Sequence, residues 1–227
     1  MRTQLTALIL ALYSLIGCEN MIESKNSYLA LGDSYTIGES VEPSQRWPVQ
    51  LVDDLRTAGF NIEQPRIIAR TGWTTDELMT AMDTSELNSP YDMVSLLIGV
   101  NNQYRGRDTA NYREELEILM DRAIELAGDD HGKVFIVSIP DWGVTPFAKQ
   151  QGRNPANIAE EINAYNSIKQ EMAKRKNLEY INITDISREA SNKPDYLADD
   201  GLHPSGKMYK AWVERIFPVA RDILDKK

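Results

Sequence analysis

Short apolar runs alternate along this chain with longer segments in which apolar residues recur every three or four positions. The short runs have the length of β-strands and are bounded by polar or turn-forming residues. Continuous apolar runs of this length are typical of strands covered on both faces of a parallel sheet. They predict strands at Tyr28–Leu31, Ile67–Ala69, Met93–Ile98, Val134–Ile139 and Tyr180–Ile183.

The longer segments have the three-to-four-residue period of amphipathic helices. They predict helices over Pro48–Ala58, Thr75–Met82, Tyr112–Ala127 and Ile158–Met172, and a last one beginning at Met208. Pro218 lies within the last segment and is expected to kink or split that helix. Repeated βα units place the chain in the α/β class. We expect a three-layer α/β/α sandwich around a central, mostly parallel, five-stranded sheet of flavodoxin-like type.

Composition indicates an ordinary globular chain with one main domain. The chain has 227 residues, of which 42% are apolar, and this is enough to bury a substantial core. Its formal net charge is −9 and no run of basic residues stands out. Because nucleic-acid binding requires a basic surface, we expect no nucleic-acid partner.

The first residues have the three regions of a secretory signal peptide in order. Arg2 gives a positive start, Leu5–Ile16 is apolar and uncharged, and the sequence Leu-Ile-Gly then precedes Cys18, the only cysteine. This run of twelve residues is too short to span a bilayer. The ending resembles the lipobox of bacterial lipoproteins, which implies lipid attachment at Cys18. The alternative is a cytosolic amphipathic start with a buried cysteine.

This resemblance predicts a division into a signal peptide (1–17), a polar tether (18–26) and a folded domain (27–227). It places the mature protein in the bacterial cell envelope, held to a membrane on its periplasmic or surface face by the N-terminal lipid.

A Gly-Asp-Ser turn ends the first predicted strand. Ser34 therefore lies where a strand passes into a helix, at the carboxyl edge of the sheet. Open α/β folds bind their ligands at that edge. A serine hydroxyl in this place is a candidate nucleophile, provided that the chain supplies a base and donors for an oxyanion.

The chain contains two histidines, and only one lies at the same edge. His203 precedes the last helix and follows Asp200 by three residues, so that a single turn can present the imidazole with its carboxylate. His131 lies in a polar turn before the amino end of a strand, the opposite edge, and is expected to be a solvated turn residue.

Two further residues follow strands at the carboxyl edge and are candidate oxyanion donors. Gly72 can offer a backbone N–H without a side chain to block approach, and Asn101 can offer its side-chain amide. Each also has an ordinary interpretation as a turn residue.

The segments around Ser34, Gly72, Asn101 and His203 form four short blocks along the chain. In this order they resemble the SGNH (GDSL-type) hydrolase family, which is named for Ser, Gly, Asn and His. The first block is ALGDSYTIGE, the third is GVNN and the last is DGLH. The resemblance implies Ser34, Asp200 and His203 as catalytic residues. It also implies an oxyanion hole formed by the Ser34 N–H, the Gly72 N–H and the Asn101 amide.

Two positions depart from the family pattern. Tyr35 replaces the leucine of the GDSL signature, and Asn102 replaces the usual aspartate of the third block, which removes any contact that depends on a charge there. Thr36 excludes the G-x-S-x-G elbow of α/β-hydrolases. The chain also lacks glycine-rich nucleotide motifs, and its histidines are too far apart for an expected catalytic zinc site.

The resemblance implies a metal- and cofactor-independent carboxylic ester hydrolase that forms an acyl-enzyme. Its expected substrates are short-acyl esters, lysophospholipids or acylated carbohydrates, and thioesters are also within the family. Trp73, Tyr104, Arg105 and Trp142 are candidate pocket walls. Either tryptophan can pack on a sugar or an acyl chain, and the alternative is that both only pack within their loops. The alternative function is an inactive surface lipoprotein that binds glycan or protein on this scaffold. A monomer is favoured.

Overall fold

A single parallel sheet forms the centre of the molecule. The computed structural model describes residues 25–226. The five strands follow the order β2-β1-β3-β4-β5, and every neighbouring pair is parallel. Their bounds are β1 (Tyr28–Gly32), β2 (Arg66–Ala69), β3 (Met93–Leu97), β4 (Val134–Val137) and β5 (Glu179–Ile181). The predicted α/β class and five-stranded parallel sheet are confirmed.

Helices cover both faces of this sheet. Their bounds are α1 (Ser34–Ile37), α2 (Trp47–Thr57), α3 (Thr75–Thr84), α4 (Val100–Tyr104), α5 (Thr109–Leu126), α6 (Pro146–Gln150), α7 (Pro155–Arg175), α8 (Thr184–Arg188) and α9 (Gly206–Asp225). One outer layer is the pair α2 and α9, and the other contains α3, α5 and α7. Every residue of β1, β3 and β4 is buried between them, which explains the unbroken apolar runs.

The last helix is not split, and in this respect the sequence-based prediction was wrong. α9 runs without interruption through Pro218. The proline and Glu214, one turn before it, are both exposed, so the carbonyl that loses its N–H partner can be hydrated. The buried stripe on the opposite side of α9, which includes Trp212, Ile216 and Ala220, packs without a break. This packing outweighs the local cost of the proline.

The strand order locates the functional edge of the sheet. From β1 the chain passes outward to β2 and then returns across β1 to β3, so the direction of winding reverses between β1 and β3. Such a reversal leaves a crevice beyond the carboxyl ends of the two strands. Ser34 directly follows β1, and Asn101 follows β3. The fold therefore brings the first and third sequence blocks to one crevice.

The predicted signal peptide, including Cys18, lies outside the described residues. Asn26, the last residue of the predicted tether, already forms a parallel bridge with Ile62. Over residues 25–226, no helix is both long enough and apolar enough to cross a bilayer.

Candidate active site

The turn that carries Ser34 is built on close packing at Gly32 and a side-chain cap at Asp33. A Cβ on Gly32 would lie 2.5 Å from the carbonyl oxygen of Leu97 on β3, so only glycine permits this approach. Asp33 Oδ1 accepts the backbone N–H of Tyr35 at 3.0 Å and thereby caps α1. Ser34 is the first residue of α1, is only 4% exposed, and lines a cleft at the crevice.

A second turn presents His203 to the same cleft. The imidazole is 7% exposed, and its Nδ1 lies 2.6 Å from Oδ2 of Asp200. Since an ionised carboxylate only accepts hydrogen bonds, Nδ1 carries the proton and Nε2 is left as the basic nitrogen. The Tyr35 ring packs against the imidazole at a centroid distance of 5.4 Å. The ring orientation is therefore fixed from two sides.

Four donors converge on the carboxylate of Asp200. Oδ2 accepts from His203 Nδ1 and, at 2.7 Å, from the hydroxyl of Ser40, while Oδ1 accepts the backbone N–H groups of Leu202 and His203 at 2.9 Å each. Partial burial acts to raise the pKa of Asp200, but the hydrogen bonds from His203, Ser40 and the backbone outweigh it and lower the pKa to about 2. Asp200 is thus ionised at all physiological pH values.

Sequence reasoning missed Ser40. It lies six residues after Ser34 in a left-handed conformation, with φ of 64°. It reaches Asp200 across a separation of 160 residues. No local sequence signal marks such a long-range contact.

Gly72 and Asn101 both line the cleft that Ser34 and His203 share. Gly72 has a φ of 87°, a left-handed conformation that favours glycine. A Cβ there would meet nothing closer than the Arg105 guanidinium at 3.8 Å, so the glycine side of the turn is open. The Asn101 amide nitrogen donates one hydrogen to the carbonyl of Trp73 at 2.9 Å, which fixes the amide and leaves its second hydrogen for another acceptor.

The walls of the cleft are apolar and its volume is small. The free volume is about 160 Å³, and the wall residues besides the four block residues are Tyr35, Thr71, Val100, Tyr104, Trp142, Phe147 and Leu202. Two of the four expected wall residues, Tyr104 and Trp142, are among them. Trp73 and Arg105 are not: Trp73 packs against the core, and Arg105 lines a neighbouring groove.

Trp142 is locked in its place. It is 2% exposed, and its indole N–H donates to Gln103 at 2.8 Å. Its ring meets Tyr104 edge-on at 5.4 Å and Phe147 at 6.0 Å. Trp142 therefore closes the cleft and does not present an open ring face, whereas Tyr104 is 40% exposed at the rim.

The sequence profile of the GDSL-like lipase/acylhydrolase family matches residues 30–211, which include all four blocks. This chain belongs to that family. No curated protein matches the chain in sequence.

Several solved structures share the fold. TesA superposes with a TM-score of 0.69 at 17% identity, over 87% of this chain and 99% of its own. A lipase/acylhydrolase from Enterococcus faecalis superposes with a TM-score of 0.64 at 24% identity, over 88% of this chain and 96% of that protein. The psychrotrophic esterase EstA from Pseudoalteromonas, solved with monoethylphosphonate as inhibitor, superposes with a TM-score of 0.61 at 17% identity. The match covers 89% of this chain and 96% of EstA.

The departure from the GDSL-type pattern at Asn102 has a local explanation. The Asn102 amide is fully buried; its oxygen accepts the Thr75 N–H at 3.1 Å, and its nitrogen donates to the Thr75 hydroxyl at 2.6 Å. That hydroxyl in turn donates to Glu115. Because the Thr75 hydroxyl donates its hydrogen to Glu115, its oxygen can accept a hydrogen bond from a second group. The amide of asparagine supplies that donor, and an ionised aspartate does not.

His131 lies away from the cleft, as predicted. It is exposed in a short turn immediately before β4, and its Nδ1 contacts the carbonyl of Lys176 at 2.6 Å. In the described part of the chain, no group of three or more histidine, cysteine or acidic side chains is arranged to hold a metal ion.

Proposed function

We propose that this protein is a serine esterase of the GDSL-type family, with Ser34 as nucleophile, His203 as base and Asp200 as the group that orients the base. The observation that carries the proposal is the convergence of four sequence blocks on one cleft. Ser34, Gly72, Asn101 and His203 line it, and Asp200 lies behind the histidine at hydrogen-bonding distance.

The reaction follows from this arrangement. Ser34 Oγ attacks the ester carbonyl carbon while Nε2 of His203 takes the hydroxyl proton. The carbonyl oxygen, now an anion, accepts hydrogen bonds from the Ser34 and Gly72 N–H groups and from the Asn101 amide. His203 then gives the proton to the leaving alcohol, and the ester carbon remains bound to Ser34 as an acyl-enzyme. A water molecule, deprotonated by the same imidazole, releases the acid.

Asp200 contributes through its charge. Four donors keep the carboxylate ionised, so it can stabilise the imidazolium that forms when His203 takes the proton. It also holds the tautomer in which Nε2 is unprotonated.

The size of the cleft favours short acyl groups. Its free volume is only about 160 Å³. Trp142 and Phe147 close it with fixed aromatic edges. Because Trp142 has no open face and Trp73 lies outside the cleft, stacking on a sugar ring has no support from either tryptophan. Among the family's substrates, we therefore favour short-acyl esters over acylated carbohydrates and long-chain lysophospholipids.

The test is ester hydrolysis by the wild type and by Ser34→Ala. The wild type should hydrolyse p-nitrophenyl acetate and butyrate and act poorly on the octanoate, and Ser34→Ala should lose on the order of 10⁴–10⁶ in turnover. A side-by-side panel of acylated sugars, lysophospholipids and acyl-thioesters would identify the alcohol or thiol. If Ser34→Ala retained a tenth of the wild-type rate, the nucleophile would be another residue. If the wild type showed no turnover on any of these esters, the protein would be a binding lipoprotein on an inactive scaffold.

We also propose that the protein works at the bacterial cell envelope, anchored by lipid at Cys18. The support is the ordered signal regions at 1–17. In the native host, an alkyne fatty acid should label the wild type in the membrane fraction, and Cys18→Ser should lose the label because an alcohol does not replace the thiol in a thioether. Label retained in Cys18→Ser, or a wild type found wholly in the cytoplasm, would contradict the anchor and leave the esterase proposal intact.

A further inference from the structure

A fully buried lysine lies beneath the candidate active site. Lys169 is on the inward face of α7 and is 0% exposed, which is rare for this residue type. Its ammonium group donates to the carbonyl of Ile98 at 2.8 Å and to that of Val137 at 3.0 Å. These carbonyls lie at the carboxyl ends of β3 and β4. Lys169 therefore joins the carboxyl ends of two neighbouring strands.

Asp33 is the charged group that interacts with this lysine. It is fully buried directly before Ser34; Oδ1 caps α1, and Oδ2 has no hydrogen-bond partner. Burial raises the pKa of Asp33 to about 7 against the opposing effects of the Tyr35 N–H, the charge on Lys169 and the Gly99 N–H. Burial likewise lowers the pKa of Lys169 to about 7, and the charge on Asp33 opposes that shift. The two groups act on each other through the protein interior without a direct ion pair.

Lys169 binds the peptide unit that precedes the third block. The Ile98 carbonyl, which accepts from Lys169, belongs to the Ile98–Gly99 peptide bond. Gly99 has a φ of 124°, and a Cβ on it would lie 2.7 Å from the Tyr112 ring. The chain therefore turns sharply here, and α4 starts at the next residue. The orientation of this peptide decides where the second residue of α4, Asn101, is placed.

We propose that Lys169 is a positioning residue for the oxyanion site: it fixes the Ile98–Gly99 peptide and, through it, the Asn101 amide. The inference rests on the proposed esterase function, because it assigns Asn101 a role in that reaction.

A purely structural role makes a different prediction. Replacing Lys169 alone leaves two buried carbonyls without this donor, and removing one partner of a buried charged contact usually lowers stability. Lys169→Met should therefore lower the thermal midpoint, and well below that midpoint, where the protein is folded, it should still lower kcat. A lysine that only supports the fold would leave the kcat of the folded protein at the wild-type value.

The experiment is a double-mutant cycle in the full chain with p-nitrophenyl acetate. Lys169→Met should lower kcat by about tenfold to a hundredfold with KM changed by less than about threefold, since a displaced oxyanion donor weakens only the transition state. In an Asn101→Ala background the same change should cost less than about threefold, because the group that it positions is already absent. Lys174→Met, on the exposed face of the same helix, is the matched control and should match the wild type.

Each other outcome is decisive. Wild-type kcat in folded Lys169→Met, or an equal loss in both backgrounds, would overturn the inference. If Lys169→Met does not fold, Lys169→Gln, whose amide can still donate, is measured by the same criteria. Wild-type hydrolysis that does not depend on Ser34 would overturn the proposed function itself, which distinguishes the two failures.

Discussion

Two aspartates lie at the candidate active site, and they differ in burial and in hydrogen bonding. Asp33 directly precedes Ser34, and Asp200 contacts His203. Asp200 is partly exposed and receives four hydrogen bonds, which lower its pKa to about 2. Asp33 is fully buried and has one oxygen without a partner, and burial raises its pKa to about 7. The same side chain is thus held as an anion in one place and close to neutrality in the other. The number of donors and the access of water, not the residue type, decide which carboxylate can serve catalysis.

The largest expected contrast is catalytic. Asp200→Asn should lower kcat by about 10³–10⁴-fold, because the amide disturbs the histidine tautomer and removes the charge that stabilises the imidazolium. Asp33→Asn should cost less than about tenfold, since an amide oxygen can still accept the Tyr35 N–H that caps α1. Steady-state kinetics on p-nitrophenyl acetate measures both. Equal losses of kcat in the two variants would contradict the different roles assigned to Asp200 and Asp33.

The third block provides the next test. Asn101→Ala should lower kcat by about 10²–10³-fold with little change in KM, because it removes one oxyanion donor that acts in the transition state. The measurement is the separate determination of kcat and KM on the same ester. If only KM changed, Asn101 would be a contact to the bound substrate in its ground state.

Ser40 tests whether the donors around Asp200 matter individually. Ser40→Ala removes one of the two donors to Oδ2, and a single hydrogen bond of about 0.5–1.5 kcal/mol corresponds to roughly a two- to tenfold loss in kcat. Ser44→Ala, a nearby exposed serine, should behave as the wild type in the same assay. A Ser40→Ala variant with unchanged kcat would show that three donors suffice.

The pH dependence of stability should have opposite signs at the two aspartates. The folded pKa of Asp200 is depressed below the unfolded value of about 3.9, so its stabilisation relative to Asp200→Asn is present above pH ~4 and is lost as the pH falls towards about 2. The folded pKa of Asp33 is raised, so the stability of the wild type relative to Asp33→Asn should fall as the pH rises from ~4 through about 7. Urea unfolding at several pH values measures both slopes, and slopes of the same sign would contradict these environments.

Much of this arrangement could be predicted from the sequence because local patterns determine it. The apolar runs predicted the strands, and the short blocks after them placed Ser34 and Asn101 at one sheet edge. The Asp200–His203 contact spans only three residues and follows from a single turn. The parallel sheet then brings these local features together, since the carboxyl ends of parallel strands share an edge.

The features that sequence reasoning missed depend on long-range contacts. Ser40 reaches Asp200 across 160 residues, and Lys169 reaches Ile98 across 71. A lysine on an amphipathic helix ordinarily faces solvent, so the periodicity gave no sign of its burial. The split expected at Pro218 is absent for the related reason that tertiary packing of α9 outweighs the local cost of the proline.

The most direct test of the central claim is the site of covalent labelling by a fluorophosphonate probe, located by mass spectrometry of the digested protein. The wild type should carry one adduct per chain, on the peptide containing Ser34, because only a hydroxyl activated by the neighbouring base attacks the probe rapidly. His203→Ala should label far more slowly, and His131→Ala, the matched control, should label at the wild-type rate. An adduct on another residue, or no adduct on a wild type that hydrolyses esters, would contradict the assignment of Ser34.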